Sequence, residues 1–213
     1  MAKARRGQVP TEHRWHDDGY AAEWAATAND APHRAAIFDA FVGELDALAR
    51  SMEGGLKIFE LGSGPGYLAE QLFSRVDVAQ YTAVAYSAHM QAMAGNRLAF
   101  LSSSVELVQV DYCEPGWEHL IGDSFDAAVS LQAVHELRRA DRIPALYRST
   151  LTRLRPGGVV LVADLVNVPG EEPEGHLLTV DEHLQTLSDA GFVEARCVLD
   201  LGRVALVRAE RSR

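Results

Sequence analysis

Only two cysteines occur in 213 residues, Cys113 and Cys197, far apart and in no C-x-x-C pair. That excludes a disulfide framework and a cysteine-rich zinc site, and it fits a reducing cytoplasm. No run of about 18 apolar residues is present, so no membrane-spanning helix is expected. The start, Met1-Ala2-Lys3-Ala4-Arg5-Arg6-Gly7, is basic but lacks the apolar stretch of a secretory signal, and residues 1–14 read as a flexible tail. Positive charge is also short: 20 Lys and Arg face 30 Asp and Glu, and the net charge of −10 repels a phosphate backbone. Neither a nucleic-acid nor a membrane partner is expected, and the oligomeric state is left open. His13 and His16 have no evident third ligand, so no metal is expected and exposed histidines are the plain account.

What is present suits one sizeable core, since 47% of the residues are apolar. Residues 15–52 read as an N-terminal helical cap. Asp17 is placed to cap a segment carrying Tyr20 and Trp24, and Asp30 precedes a stronger one with Ile37, Phe38, Phe41, Val42, Leu45 and Leu48 on one face. From residue 53 short apolar runs alternate with helices. Candidate strands are 56–61, 81–85, 105–110, 125–130 and 159–163, several with the near-continuous apolar character of strands covered on both faces. Asp141 is expected to open a helix that Pro156-Gly157-Gly158 follows, and Thr179 with Glu182 has capping-box spacing for the last helix. Two final runs, 193–199 and 204–208, are joined by a turn at Gly202 and should pair antiparallel. The stretch 164–178 is too short for a large substrate-binding insertion, so the N-terminal helices must do most of the covering.

The most informative segment is Phe59-Glu60-Leu61-Gly62-Ser63-Gly64-Pro65-Gly66-Tyr67, a strand running into a glycine-rich turn and a helix. Glycines at alternate positions let backbone turn sharply and approach a ligand. The G-x-G-x-G spacing differs from the G-x-G-x-x-G that seats a pyrophosphate, which disfavours a nicotinamide-dependent oxidoreductase. Taken alone, the turn also reads as a mere strand-helix connection.

Other segments follow it in a specific order: Tyr86-Ser87-Ala88-His89-Met90, Val110-Asp111-Tyr112, Ser124-Phe125-Asp126, Leu154-Arg155-Pro156-Gly157-Gly158 and Ala190-Gly191-Phe192. With these the chain resembles the class I S-adenosylmethionine-dependent methyltransferases of the small-molecule type, over about residues 56 to 208. The resemblance implies an α/β Rossmann-like sheet of seven strands, mostly parallel with an antiparallel last strand, helices on both faces and a helical cap. It implies S-adenosylmethionine as cofactor, S-adenosylhomocysteine as product and a small-molecule acceptor. Glu60 and the turn Gly62, Ser63, Gly64 and Gly66 would surround the methionine end, and carbonyls near Ser130 and Leu131 would receive its ammonium. Asp111 would accept from the adenine amino group with Tyr112 nearby. Met90 would pack on the adenine, or else is simply core; Ala85, Tyr86 and Ser87 would border the ribose.

One position departs from the family. The strand ending at Ala85 usually ends in Asp or Glu, which grips the ribose hydroxyls, and no carboxylate occurs between Asp77 and Glu106. Two readings follow: an active enzyme with weakened cofactor binding, or a fold whose activity is impaired or repurposed. At the reacting end the segment Leu131-Gln132-Ala133-Val134-His135-Glu136-Leu137 would meet the substrate. His135 is the candidate general base or orienting group, with a structural histidine at a helix start as the alternative. Gln132, Tyr20 and Trp24 are the other substrate-side candidates; the helix bearing the last two is a lid over the site or merely an amphipathic helix stuck to the domain.

Overall fold

The computed structural model describes Arg5–Arg6 and residues 17–213 other than Pro32, so His13, His16 and most of the tail lie outside the described residues. In chain order come β1 (Arg5–Arg6), α1 (Asp18–Thr27), α2 (Arg34–Ala49), β2 (Leu56–Leu61), α3 (Tyr67–Arg75), β3 (Val78–Ala85) and α4 (Ala88–Arg97). Then follow β4 (Val105–Gln109), β5 (Phe125–Leu131), α5 (Ile143–Arg153), β6 (Leu154–Leu165), α6 (Val180–Asp189), β7 (Phe192–Asp200) and β8 (Val204–Arg211).

The caps show why helices begin where they do. Asp17 Oδ1 accepts the Tyr20 N–H at 2.7 Å and starts α1, and Thr179 and Glu182 form a reciprocal capping box at α6. Two expected starts differ. Asp30 lies in a 3-10 turn, Ala28–Asp30, and α2 begins later without a side-chain cap. Asp141 pairs with Arg139 at 2.5 Å in another such turn, and α5 opens instead at Ile143 with a proline in its first turn, where a missing N–H costs nothing. Pro156-Gly157-Gly158 falls inside β6 rather than beyond a helix. A Cβ on Gly158 would stand 2.9 Å from the Arg155 carbonyl oxygen and 3.0 Å from that of Phe125, so only glycine lets the strands pass there.

The sheet runs β1-β4-β3-β2-β5-β6-β8-β7. All pairs from β1 to β6 are parallel, and β8 pairs antiparallel with both β6 and β7. To the seven expected strands it adds one, the two residues Arg5–Arg6 beside Val108 and Gln109. At the opposite edge the β7–β8 ladder is broken by register shifts between Val193 and Arg196 and between Cys197 and Leu199, with Glu194 at φ 54°.

Helices cover both faces because alternate strand residues point oppositely. On one face Ile37, Phe41 and Leu45 of α2, each at most 1% exposed, pack with Ile58, Leu68, Leu72 and Tyr81. Each such side chain stabilises by ~1.5–3 kcal/mol. On the other, Leu146 and Tyr147 of α5 and Leu187 of α6 pack with Phe59, Val84, Phe125 and Val160. The strand order reverses between β2 and β5, and an open sheet holds its ligand crevice beyond the carboxyl ends at such a point.

Candidate functional site

A cavity of about 390 Å³ lies at that reversal, walled by residues that follow β2, β3, β4 and β5. The glycine turn forms one wall. Gly62 sits at φ 72°, and a Cβ there would fall 2.2 Å from the Ala133 Cβ, so the turn and the loop after β5 are pressed together by backbone alone. The Gly62 and Ser63 N–H groups both donate to the Val84 carbonyl at 2.9 Å, which ties the turn to the end of β3. Gly64 faces the Trp24 ring of α1, and both line the cavity.

The neighbouring wall combines Ala85, Tyr86, Ser87 and Met90 with Asp111, Tyr112 and Cys113. Ser87 caps α4 by accepting the Met90 N–H at 3.3 Å, which fixes Met90 on the wall. Asp111 is 8% exposed; its Oδ1 accepts the Cys113 N–H at 2.8 Å, which engages one of the roughly four acceptor sites of a carboxylate. Burial and Asp111 push the Cys113 thiol up to about 12, so it is no nucleophile. The Tyr112 hydroxyl donates to the Ala133 carbonyl at 2.9 Å and burial holds it well above the ordinary phenol range.

The third wall is the loop after β5. Gln132, at φ 50°, anchors its N–H on the Ala163 carbonyl at 2.7 Å, and its Oε1 accepts from Arg34 of α2 at 2.7 Å. Next to it His135 is held by Asp164 at the end of β6: the backbone N–H donates to Oδ2 at 2.8 Å and Nδ1 lies 2.5 Å from Oδ1. Its Nε2 lies 3.5 Å from Glu136 Oε1. Burial pulls the imidazole pKa down, but the hydrogen bonds to Asp164 and Glu136 and the charges of both acids together outweigh it and raise it to about 10.

Residues 58–158 match the family model described as a methyltransferase domain. Over 158 residues the chain is 30% identical to phosphoethanolamine N-methyltransferase 1 of Arabidopsis thaliana, an alignment covering 68% of this chain and 30% of the plant protein. The chain thus spans about a third of that relative's length. Among solved structures it superposes on an O-methyltransferase family protein from Burkholderia thailandensis with a TM-score of 0.74, at 18% identity over 96% of this chain and 63% of the other. Human N-acetylserotonin methyltransferase, solved in complex with S-adenosylmethionine, gives a TM-score of 0.71 at 15% identity, over 96% of this chain and 61% of that one. The likeness to the two structures is one of fold. Residues 58–158 thus match a methyltransferase domain, and the fold is that of the class I S-adenosylmethionine-dependent methyltransferases.

Of the residues singled out in the sequence, Gly62, Gly64, Ala85, Tyr86, Ser87, Met90, Asp111, Tyr112, Leu131, Gln132 and Trp24 share the cavity wall. Others do not reach it. Glu60 is 1% exposed and its Oε2 accepts from the Tyr81 hydroxyl at 2.7 Å, because strand alternation turns it to the Ile58 face, under α2 and α3. Burial pushes its pKa up to about 7 against the pull of that hydrogen bond. Ser63 is buried with its hydroxyl lacking a protein partner, Gly66 at φ 84° starts α3 against Leu98, and the Ser130 hydroxyl donates to the Leu61 carbonyl at 3.1 Å. Tyr20 and His135 also lie off the wall. Held by Asp164 through both its backbone N–H and Nδ1, and off the wall, His135 is placed as an orienting or structural group. Ala133, Glu136 and Leu137, within the segment expected to meet the substrate, are on the wall too, whereas sequence reasoning missed Cys113, Arg138 and Arg142 there and Arg34 behind it.

The donor set fits the nucleoside half of the family's cofactor: a carboxylate at Asp111, an apolar side chain at Met90 and a slot bordered by side-chain-free Gly62 and Gly64. At Ala85, where the family resemblance would set the ribose, no acid is present on β3 or in the loop after it.

Proposed function

We propose that this chain transfers the methyl group of S-adenosylmethionine to a small-molecule acceptor by in-line displacement. The observation that carries the reading is the convergence of Asp111, Met90, Ala85 and the glycine turn on one cavity at the reversal of strand order. When bound, the cofactor supplies a methyl group activated by a sulfonium. Asp111 accepts from the adenine amino group, Met90 packs on the ring, and the Gly62 and Gly64 backbone borders the amino-acid portion. Trp24 covers the mouth and excludes water, while Gln132 orients the acceptor. His135, clamped by Asp164, fixes the course of the loop. Catalysis then rests on proximity and alignment, which supply up to ~7–11 kcal/mol of a barrier.

The net charge of −10 supports a small acceptor over nucleic acid, and Cys113 and Cys197, both free thiols, support a cytoplasmic setting. Among the described residues no helix is long and apolar enough to cross a membrane. Ala85 on the wall favours a second reading, a methyltransferase fold with impaired or repurposed transfer. Calorimetric titration with S-adenosylmethionine and S-adenosylhomocysteine tests the first reading. Saturable binding is expected, and no heat from either at millimolar ligand would end it.

A further inference from the structure

Arg34 is 6% exposed, yet no carboxylate forms an ion pair with it among the described residues. Its Nε donates to the Ala28 carbonyl at 3.0 Å and one terminal nitrogen donates to Gln132 Oε1 at 2.7 Å, 98 residues away in sequence. A buried cation without a counter-charge is costly, and this one stands directly behind a cavity-lining side chain. Guanidinium only donates hydrogen bonds, so the Gln132 amide must turn its oxygen to Arg34. What it has left for the cavity is its NH2 group, polarised by the charge behind it. The loop cannot easily relieve this arrangement, because Gln132 is held at φ 50° with its backbone N–H on Ala163.

We infer that Arg34 is a positioning residue that makes Gln132 a fixed hydrogen-bond donor, so that the site selects an acceptor molecule bearing an oxygen anion near its reacting atom over one bearing an ammonium. The inference rests on the methyl-transfer reading, in which Gln132 meets the acceptor. Of the other charges on the wall, Asp111 is the one given to the adenine amino group, which leaves those of the loop after β5 to face the acceptor. Glu136 faces His135 Nε2 and an Arg138 nitrogen, each at 3.5 Å, so its charge is countered, and Arg142 adds a cation.

Benzoate and benzylammonium, matched in ring and opposite in charge, are the probes. Each is titrated into 15N-labelled protein with and without S-adenosylhomocysteine, following the Gln132 side-chain NH2 signals. Benzoate is expected to move them at a concentration at least about tenfold lower than benzylammonium. Arg34→Lys, which still donates, keeps the preference; Arg34→Met lets the amide turn over and reduces it to about twofold or less. Gln132→Glu, whose carboxylate pairs with Arg34 and leaves no N–H donor for the cavity, also reduces it to about twofold or less when followed through the benzoate and benzylammonium ring signals, and serves if Arg34→Met fails to fold. The inference is overturned if benzylammonium matches benzoate, if neither probe moves Gln132, or if folded Arg34→Met keeps the wild-type preference. Failure of the cofactor reading shows separately, as unmoved Gly62 and Gly64 amide signals when S-adenosylhomocysteine is added.

Discussion

Replacing Ala85 by aspartate puts a carboxylate at the end of β3, between the glycine turn that follows β2 and the Asp111 that follows β4. Ala85 is 3% exposed and on the cavity wall, so the new group points at ligand rather than bulk water. Two hydrogen bonds from ribose hydroxyls to an ionised acceptor contribute roughly 1.5–3 kcal/mol each at most. Against them stand desolvation of the new charge, about 1–3 kcal/mol, and repulsion from Asp111 across the cavity. The net gain is about 1–3 kcal/mol, or about 5- to 150-fold tighter binding of S-adenosylhomocysteine. Isothermal calorimetry on wild type, Ala85→Asp and the uncharged control Ala85→Asn reads this directly, with Asn gaining less than Asp. Unchanged or weaker binding in an Ala85→Asp protein of wild-type Tm would refute the placement of ribose at residue 85 and favour a repurposed cavity.

Two further outcomes concern buried ionisable groups. The pKa of Glu60, about 7 when folded against an ordinary 4.5, means the fold favours its neutral form, so its contribution is intact below about pH 4.5 and falls as pH rises through 7, by on the order of 3 kcal/mol. Glu60→Gln should flatten that part of the stability profile in urea denaturation between the two pH values, and a variant as steep as wild type would contradict the assignment. His135 is raised in the same sense, from 6.5 to about 10, so its stabilisation is complete below about pH 6.5 and is lost as pH climbs through 10. In Asp164→Asn the imidazole midpoint seen by proton NMR should drop substantially; the same midpoint as wild type would sink the clamp.

The strands were legible because the central ones are covered on both faces and leave continuous apolar runs; the 56–61 run coincides with β2. Where burial lapses, so does the signal. Ala79 and Gln80 at the start of β3 are exposed, and Leu154 to Gly158 enter β6 through a proline and two glycines that read as a break. The glycine turn, Asp111 and Met90 were found because local backbone demands and a family pattern mark them. Glu60 was misplaced because the pattern sets it beside the turn, whereas period-two alternation sends its side chain to Tyr81. Arg34 was out of reach: its partner Gln132 lies 98 residues away in sequence, in the loop after β5, and no spacing of residues encodes a contact that only folding creates.

The ragged outer strand β7 has a consequence for solubility. A regular outer strand is a template onto which another chain can zip its own backbone, the first step toward fibrils. Here the two register slips and the inverted backbone at Glu194 interrupt the row of free amides and carbonyls, so a recruited segment finds no uninterrupted track. At the other border the described residues place two, Arg5 and Arg6, beside β4. Straightening β7 by deleting Glu194 should therefore raise the propensity to aggregate even where the catalytic cavity is untouched.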